Sequence, residues 1–110
     1  MSNEVKYHSG IKYEIFVGIK DKDTYEEKLT VEDFTNILKE ICTERELSFS
    51  MLTQFGGYPH NKGYTTENSL RVAIIGAEEE EVRRLGQLLK EKINTDTVMI
   101  TKTQVEFAYV

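Results

Sequence analysis

Phe55-Gly-Gly-Tyr-Pro-His-Asn-Lys-Gly-Tyr-Thr-Thr-Glu-Asn-Ser69 is the stretch on which the fold turns. It holds three of the chain's seven glycines, its one proline, one of its two histidines and two of its six tyrosines. Segments of strand character lie on either side, with no helical pattern between them. Read as a long hairpin connection, the stretch makes those two strands neighbours, and the topology follows from that adjacency. A connection this long, dense in hydrogen-bonding and stacking groups, is also where function tends to be placed.

Upstream of it, Leu47, Phe49, Met51 and Phe55 alternate with Ser48, Ser50 and Gln54, the period of a half-buried strand. Downstream, residues 69–76 read Ser-Leu-Arg-Val-Ala-Ile-Ile-Gly, more evenly apolar and so central in a sheet. Farther out on the N-terminal side, Tyr13, Ile15, Val17 and Ile19 share one face of a strand over residues 12–20. A polar run, 21–28, separates that strand from a helix predicted over residues 31–45. Thr30 and Asp33 stand in a capping-box arrangement there, and Phe34, Ile37, Leu38, Ile41 and Cys42 make the buried stripe.

A second helix opens on Glu78-Glu-Glu-Glu81, where carboxylates suit the positive end of the helix dipole. Its stripe is Val82, Leu85, Leu88, Leu89 and Ile93, and Asn94 is a natural stop. Residues 97–102 form a fourth strand. The order β-α-β-β-α-β predicts an α+β, ferredoxin-like sandwich: a four-stranded antiparallel sheet with two helices on one face, plus a C-terminal strand extension. Residues 1–10 lack periodicity and read as a flexible arm, leaving residues 11–110 as a single domain.

The tail breaks the pattern. Apolar residues occupy even positions at Val98 and Ile100, then odd positions at Val105, Phe107 and Tyr109. A strand has period two, so the switch predicts a bulge or break at residues 101–104. Beyond it, residues 105–110 either extend the same sheet or pair with the sheet edge of a second copy, giving a homo-oligomer.

Composition narrows the function classes. A net charge of −5, with lysines and carboxylates interleaved along residues 20–28, excludes binding of nucleic acid by phosphate neutralisation. No apolar run approaches the roughly 20 residues of a membrane helix, so no membrane partner is expected. The N-terminal residues show no apolar leader, and one cysteine forms no internal disulfide; both point to the cytoplasm.

Catalytic and metal signatures are thin. His8 and His60 have no Cys, Asp or Glu at ligand spacing, so neither metal nor cofactor is expected. Cys42 falls on a buried stripe, where a thiol is poorly ionised. Within residues 56–67, Gly56 and Gly57 let backbone amides approach an anion, and His60 and Lys62 add donors. Tyr58 and Tyr64 offer faces for a planar ring, and Glu67 stands alone at the foot of the third strand.

Over most of residues 13–101 the chain resembles an uncharacterised bacterial family of small ferredoxin-like domains. The counterparts are Phe16-Val-Gly-Ile19, Leu29-Thr30 with Phe34, Gln54-Phe-Gly-Gly-Tyr58, Glu67-Asn-Ser69 and Asp96-Thr-Val98. Tyr58 stands where that family has tryptophan, and its last-strand glutamine is absent here. The resemblance implies the architecture and no activity. At the level of fold alone, the chain is similar to the trimeric PII-type signalling proteins, which bind small ligands between subunits near long loops.

Together these readings favour a non-catalytic, homo-oligomeric protein that binds a small anionic or nucleotide ligand for signalling or sequestration. The site expected is Gly56, Gly57, Tyr58, His60, Lys62, Tyr64 and Glu67. Two alternatives stand beside it: an interaction module pairing through residues 105–110, and a small enzyme using His60 with Glu67.

Overall fold

The computed structural model describes residues 4–110. Its elements are β1 (His8–Gly18), α1 (Val31–Glu44), β2 (Ser50–His60), β3 (Gly63–Ile75), α2 (Glu79–Ile93) and β4 (Val98–Phe107). The four strands form one antiparallel sheet in the order β2-β3-β1-β4, so the expected α+β sandwich is the fold. Tyr13, Ile15, Val17, Leu70, Val72 and Ile74 project from β1 and β3 toward the helices. They meet Phe34, Leu38, Ile41 and Cys42 of α1, and Val82, Leu85, Leu89 and Ile93 of α2, in a single core.

The helices form where the sequence places them. Thr30 caps α1 by accepting from the Asp33 amide, and the Asp33 carboxylate accepts from the Thr30 amide in return. Asn94 ends α2 in the left-handed conformation, φ 58°.

The strands depart from the expectation in three places. The first concerns residues 56–67, which form no loop: β2 runs on to His60, β3 starts at Gly63, and only Asn61 and Lys62 make the turn. Pro59 is tolerated because β2 is an edge strand, where a missing amide donor leaves no ladder unmatched. The second is the bulge, which does not exist. β4 pairs with β1 residue for residue from Val17↔Val98 to His8↔Phe107. The apolar parity changes because the helix layer ends. Val98 and Ile100 lie under α2, with Ile100 Cδ1 against Gly86. Past Lys102, which reaches Glu79 at the start of α2, the apolar residues Val105 and Phe107 turn to the other face. There Phe107 lies over Gly10, where a Cβ would come within 2.9 Å of its Cε1. The third is the N-terminal arm, whose residues 8–10 already belong to β1; residues 1–3 lie outside the described part.

At 1.5 Å per residue each helix is about 21–23 Å long, whereas the molecule extends 63 Å along its longest axis. Paired strands therefore overshoot the helices at both ends: β1 with β4 at one, β2 with β3 at the other. The sheet face away from the helices carries no second layer among the described residues. One row across it reads Leu52, Arg71, Phe16 and Met99 in register. Arg71 is ion-paired with Glu14 and sits 5.9 Å from the Phe16 ring centroid, while Leu52 and Met99 are 60% and 57% exposed.

Candidate functional site

Where β1 ends, the β2–β3 ribbon continues alone, and a cleft of about 250 Å³ opens beside it. Its walls are Gly18 of β1, Tyr58 of β2, Glu67 of β3, the connection through Lys20, Asp21, Lys22 and Tyr25, and residues 95–97 after α2. Strand register explains the pairing of Tyr58 with Glu67. Tyr58 opposes Thr65 and Gly56 opposes Glu67, so both side chains emerge on the face away from the helices, two ladder positions apart.

The Glu67 carboxylate lies flat against Gly18, and a Cβ there would collide with its Oε1. A side chain at position 18 would displace the carboxylate from this place. Burial pushes the Glu67 carboxyl above its ordinary range, with Glu27 adding to the rise and Lys20 opposing it. Burial likewise raises the Tyr58 hydroxyl, and Glu67 contributes. Lys20 Nζ donates to the Thr66 carbonyl at 2.8 Å, and the Asn68 amide donates to Glu27 Oε1. The connection thus borders β3 where β1 no longer does.

Asp21 organises that connection. Its Oδ1 accepts from the amides of Asp23 and Thr24, and its Oδ2 accepts from Asn94 Nδ2 at 3.0 Å. Asn94 Nδ2 also donates to Asp23 Oδ2, and the Lys22 amide donates to the Asn94 carbonyl. These bonds, the Asn94 amide foremost, hold the Asp21 carboxyl at about 2. The turn they fix contains Tyr25 at φ 59°. The Tyr25 ring is 6.3 Å from the His60 ring, inclined by 25°, and the Tyr58 ring is 6.1 Å from it, inclined by 55°.

Of the seven residues expected from the sequence, Tyr58 and Glu67 line the cleft, and His60 joins its rim through the rings. The rest disperse. Gly57 and Tyr64 lie together on the opposite face of the ribbon, the Tyr64 ring covering Gly57. Lys62 is in the turn, and Gly56 faces open space. His60 and Glu67 are not brought together as an acid–base couple. Their ladder positions, His60↔Gly63 and Gly56↔Glu67, are four residues apart, about 13 Å along the ribbon. His60 Nδ1 accepts from the Lys62 amide, leaving Nε2 to face Thr65 Oγ1. Sequence reasoning missed Gly18, Lys20, Asp21, Lys22 and Tyr25. A glycine inside an otherwise apolar strand and a tyrosine inside a polar turn were the available signals.

Among the described residues no group of three or more His, Cys, Asp or Glu side chains is placed to hold a metal ion. Cys42 is buried, and burial raises its thiol. Among the described residues no helix is long and apolar enough to cross a membrane.

No family model matches the chain, and no curated protein matches it. Solved structures do. A phage SAM lyase in complex with S-methyl-5'-thioadenosine is 24% identical, with 91% of this chain and 90% of that one covered and a TM-score of 0.69. CutA from Synechococcus elongatus PCC7942 is 11% identical, with 92% and 81% covered and a TM-score of 0.60. CPII, a nitrogen regulatory PII-like protein from Thiomonas intermedia K12 bound to ADP, AMP and bicarbonate, is 10% identical, with 93% and 98% covered and a TM-score of 0.54. At these identities the likeness is one of fold, and it includes the PII-like architecture expected from the sequence.

Proposed function

We propose that this chain binds an adenosine-bearing sulfonium compound of the S-adenosylmethionine class in the cleft of Gly18, Tyr58 and Glu67. It acts there as a lyase that releases S-methyl-5'-thioadenosine. The observation that carries the reading is the Glu67 carboxylate, packed onto Gly18 beside the Tyr58 ring in a part-enclosed cleft.

A sulfonium is a compact cation with no proton to donate. It is recognised by the field of a carboxylate and by the electron-rich faces of aromatic rings. Glu67 and Tyr58 supply both, while Lys20 and Lys22 line the same cleft and suit the carboxylate at the far end of such a ligand. The fold neighbour that holds S-methyl-5'-thioadenosine supports the choice of compound. That thioether is what is left when the carbon–sulfur bond to the amino-acid chain breaks and sulfur keeps the electron pair. The amino-acid chain's own carboxylate bonds to the carbon that sulfur leaves and closes a lactone. The chain also self-associates in this reading, through the bare outer face of the sheet.

Incubation with S-adenosylmethionine, followed by chromatography, is expected to show S-methyl-5'-thioadenosine accumulating. Calorimetry tests the role of Glu67. Glu67→Gln is expected to weaken binding of the charged sulfonium roughly tenfold, about 1.4 kcal/mol, and to change binding of the neutral thioether little. Absence of both turnover and retention defeats the proposal. A second reading, non-catalytic nucleotide binding, is favoured by the two lysines and by the ADP- and AMP-bound PII-like neighbour. Retention of ADP or AMP intact, with no thioether released, selects it.

A further inference from the structure

We infer that Tyr25 is the residue on which the ligand's planar base stacks, and that the turn around it exists to hold it there. The inference rests on the adenosine-bearing ligand proposed above and adds the group that selects for its ring.

Tyr25 has φ 59°, a left-handed conformation that glycine, asparagine or aspartate adopts readily and a bulky aromatic residue does not. Burial does not compensate the strain, because the residue is 55% exposed and lies outside the core. Its ring meets the His60 ring at the rim of the cleft. The conformation is nevertheless over-determined. The Tyr25 amide donates to the Asp21 carbonyl at 2.8 Å, the Asp21 amide donates to the Glu26 carbonyl at 2.9 Å, and Lys20 bridges to Glu27. The Asp21 carboxylate ties down the two amides before Tyr25, and Asn94 anchors that carboxylate to the end of α2.

Backbone strain kept in place by so many bonds is found where the side chain it displays has a use. What is displayed is an aromatic ring on the wall of the cleft that holds Tyr58 and Glu67, with the His60 ring stacked beside it at 6.3 Å. Glu67 and the lysines address the charges of the ligand. Tyr25 addresses its ring, and a ring of purine size gains most from such a face.

Three variants at this position separate the display role from a structural one. Tyr25→Gly removes the ring and relaxes the backbone, Tyr25→Phe keeps both ring and strain, and Tyr25→Trp enlarges the ring. Tyr25→Gly is expected to melt at or above the wild-type temperature, since the left-handed penalty is gone. Its Kd for S-methyl-5'-thioadenosine is expected to rise roughly 5- to 150-fold, the range of base–aromatic stacking. Tyr25→Phe and Tyr25→Trp should bind within about threefold of wild type, as stacking needs the face and not the hydroxyl. S-methylmethionine, a sulfonium without a base, should bind wild type and Tyr25→Gly alike in saturation-transfer NMR. Wild-type affinity of Tyr25→Gly for the thioether overturns the inference and leaves the adenosine reading intact. So does a parallel loss of thioether and S-methylmethionine, which would mark Tyr25 as a prop of the cleft. A wild-type chain that retains no adenosine compound removes the reading and the inference together.

Discussion

Asp21 ties its own turn to the end of α2, 73 residues on, and, through Lys28 at 3.6 Å, to the approach to α1. Its carboxyl sits at about 2, below the ordinary value of 3.8, chiefly because Asn94 donates to it and secondly because the Asp23 amide does. A carboxyl lowered on folding stabilises the protein fully above its unfolded value, and that contribution disappears as the pH falls through the folded one. The acid limb belonging to Asp21 therefore lies between about pH 4 and pH 2. Asn94→Gly keeps the left-handed backbone and deletes the amide donor. Urea midpoints measured from pH 7 down to 2 should fall less steeply below about pH 4 in this variant than in wild type. An unchanged acid limb would show that Asn94 does not govern Asp21.

At the scale of the element, α1 depends on a cap that can be removed cleanly. Thr30→Ala removes the hydroxyl that accepts from the Asp33 amide and leaves the residue-30 amide free to donate to the Asp33 carboxylate as before. It is expected to cost about 1 kcal/mol, or roughly 4–8 °C in Tm, by calorimetry. A shift below about 1 °C would mean that α1 is held by its buried stripe alone. The same contrast explains what could be read in advance. Helix caps and stripes are local, so Thr30, Asp33 and Asn94 were legible from a few neighbouring residues. The ribbon of β2 and β3 was not, because Gly56, Gly57 and Pro59 have poor strand propensity and owe their conformation to partners across a turn. The face change in β4 was visible as a parity switch, yet its cause is where α2 stops above the sheet, which no pattern within β4 records. The site divides the same way. Tyr58 and Glu67 stood out as stacking and charged groups in one stretch, but Gly18, Asp21 and Tyr25 reach them only through the fold, from more than thirty residues away.

For the whole molecule, the row Leu52, Arg71, Phe16 and Met99 crosses all four strands with no layer above it among the described residues. Leu52 and Met99 are its exposed apolar members, which makes this face the one to test for the proposed self-association. Leu52→Glu combined with Met99→Glu is expected to leave the circular-dichroism spectrum unchanged and to lower the sedimenting mass to that of one chain. A wild-type protein that itself sediments as one chain, or a variant that keeps the wild-type mass, would refute self-association through this face. The overshooting ribbon has a consequence of another kind. Past Ser69, β3 loses β1 as a partner and is held by β2, the Lys20 ammonium and the Glu27 carboxylate, whereas Leu70, Val72 and Ile74 lie inside the core. Hydrogen-bonded segments with so little buried apolar contact open on their own, at a fraction of the free energy that unfolds the domain. Tyr58 and Glu67 are carried on that segment while Gly18 and Asp21 stay with the rigid body, so opening along this seam would widen the cleft and leave the core undisturbed.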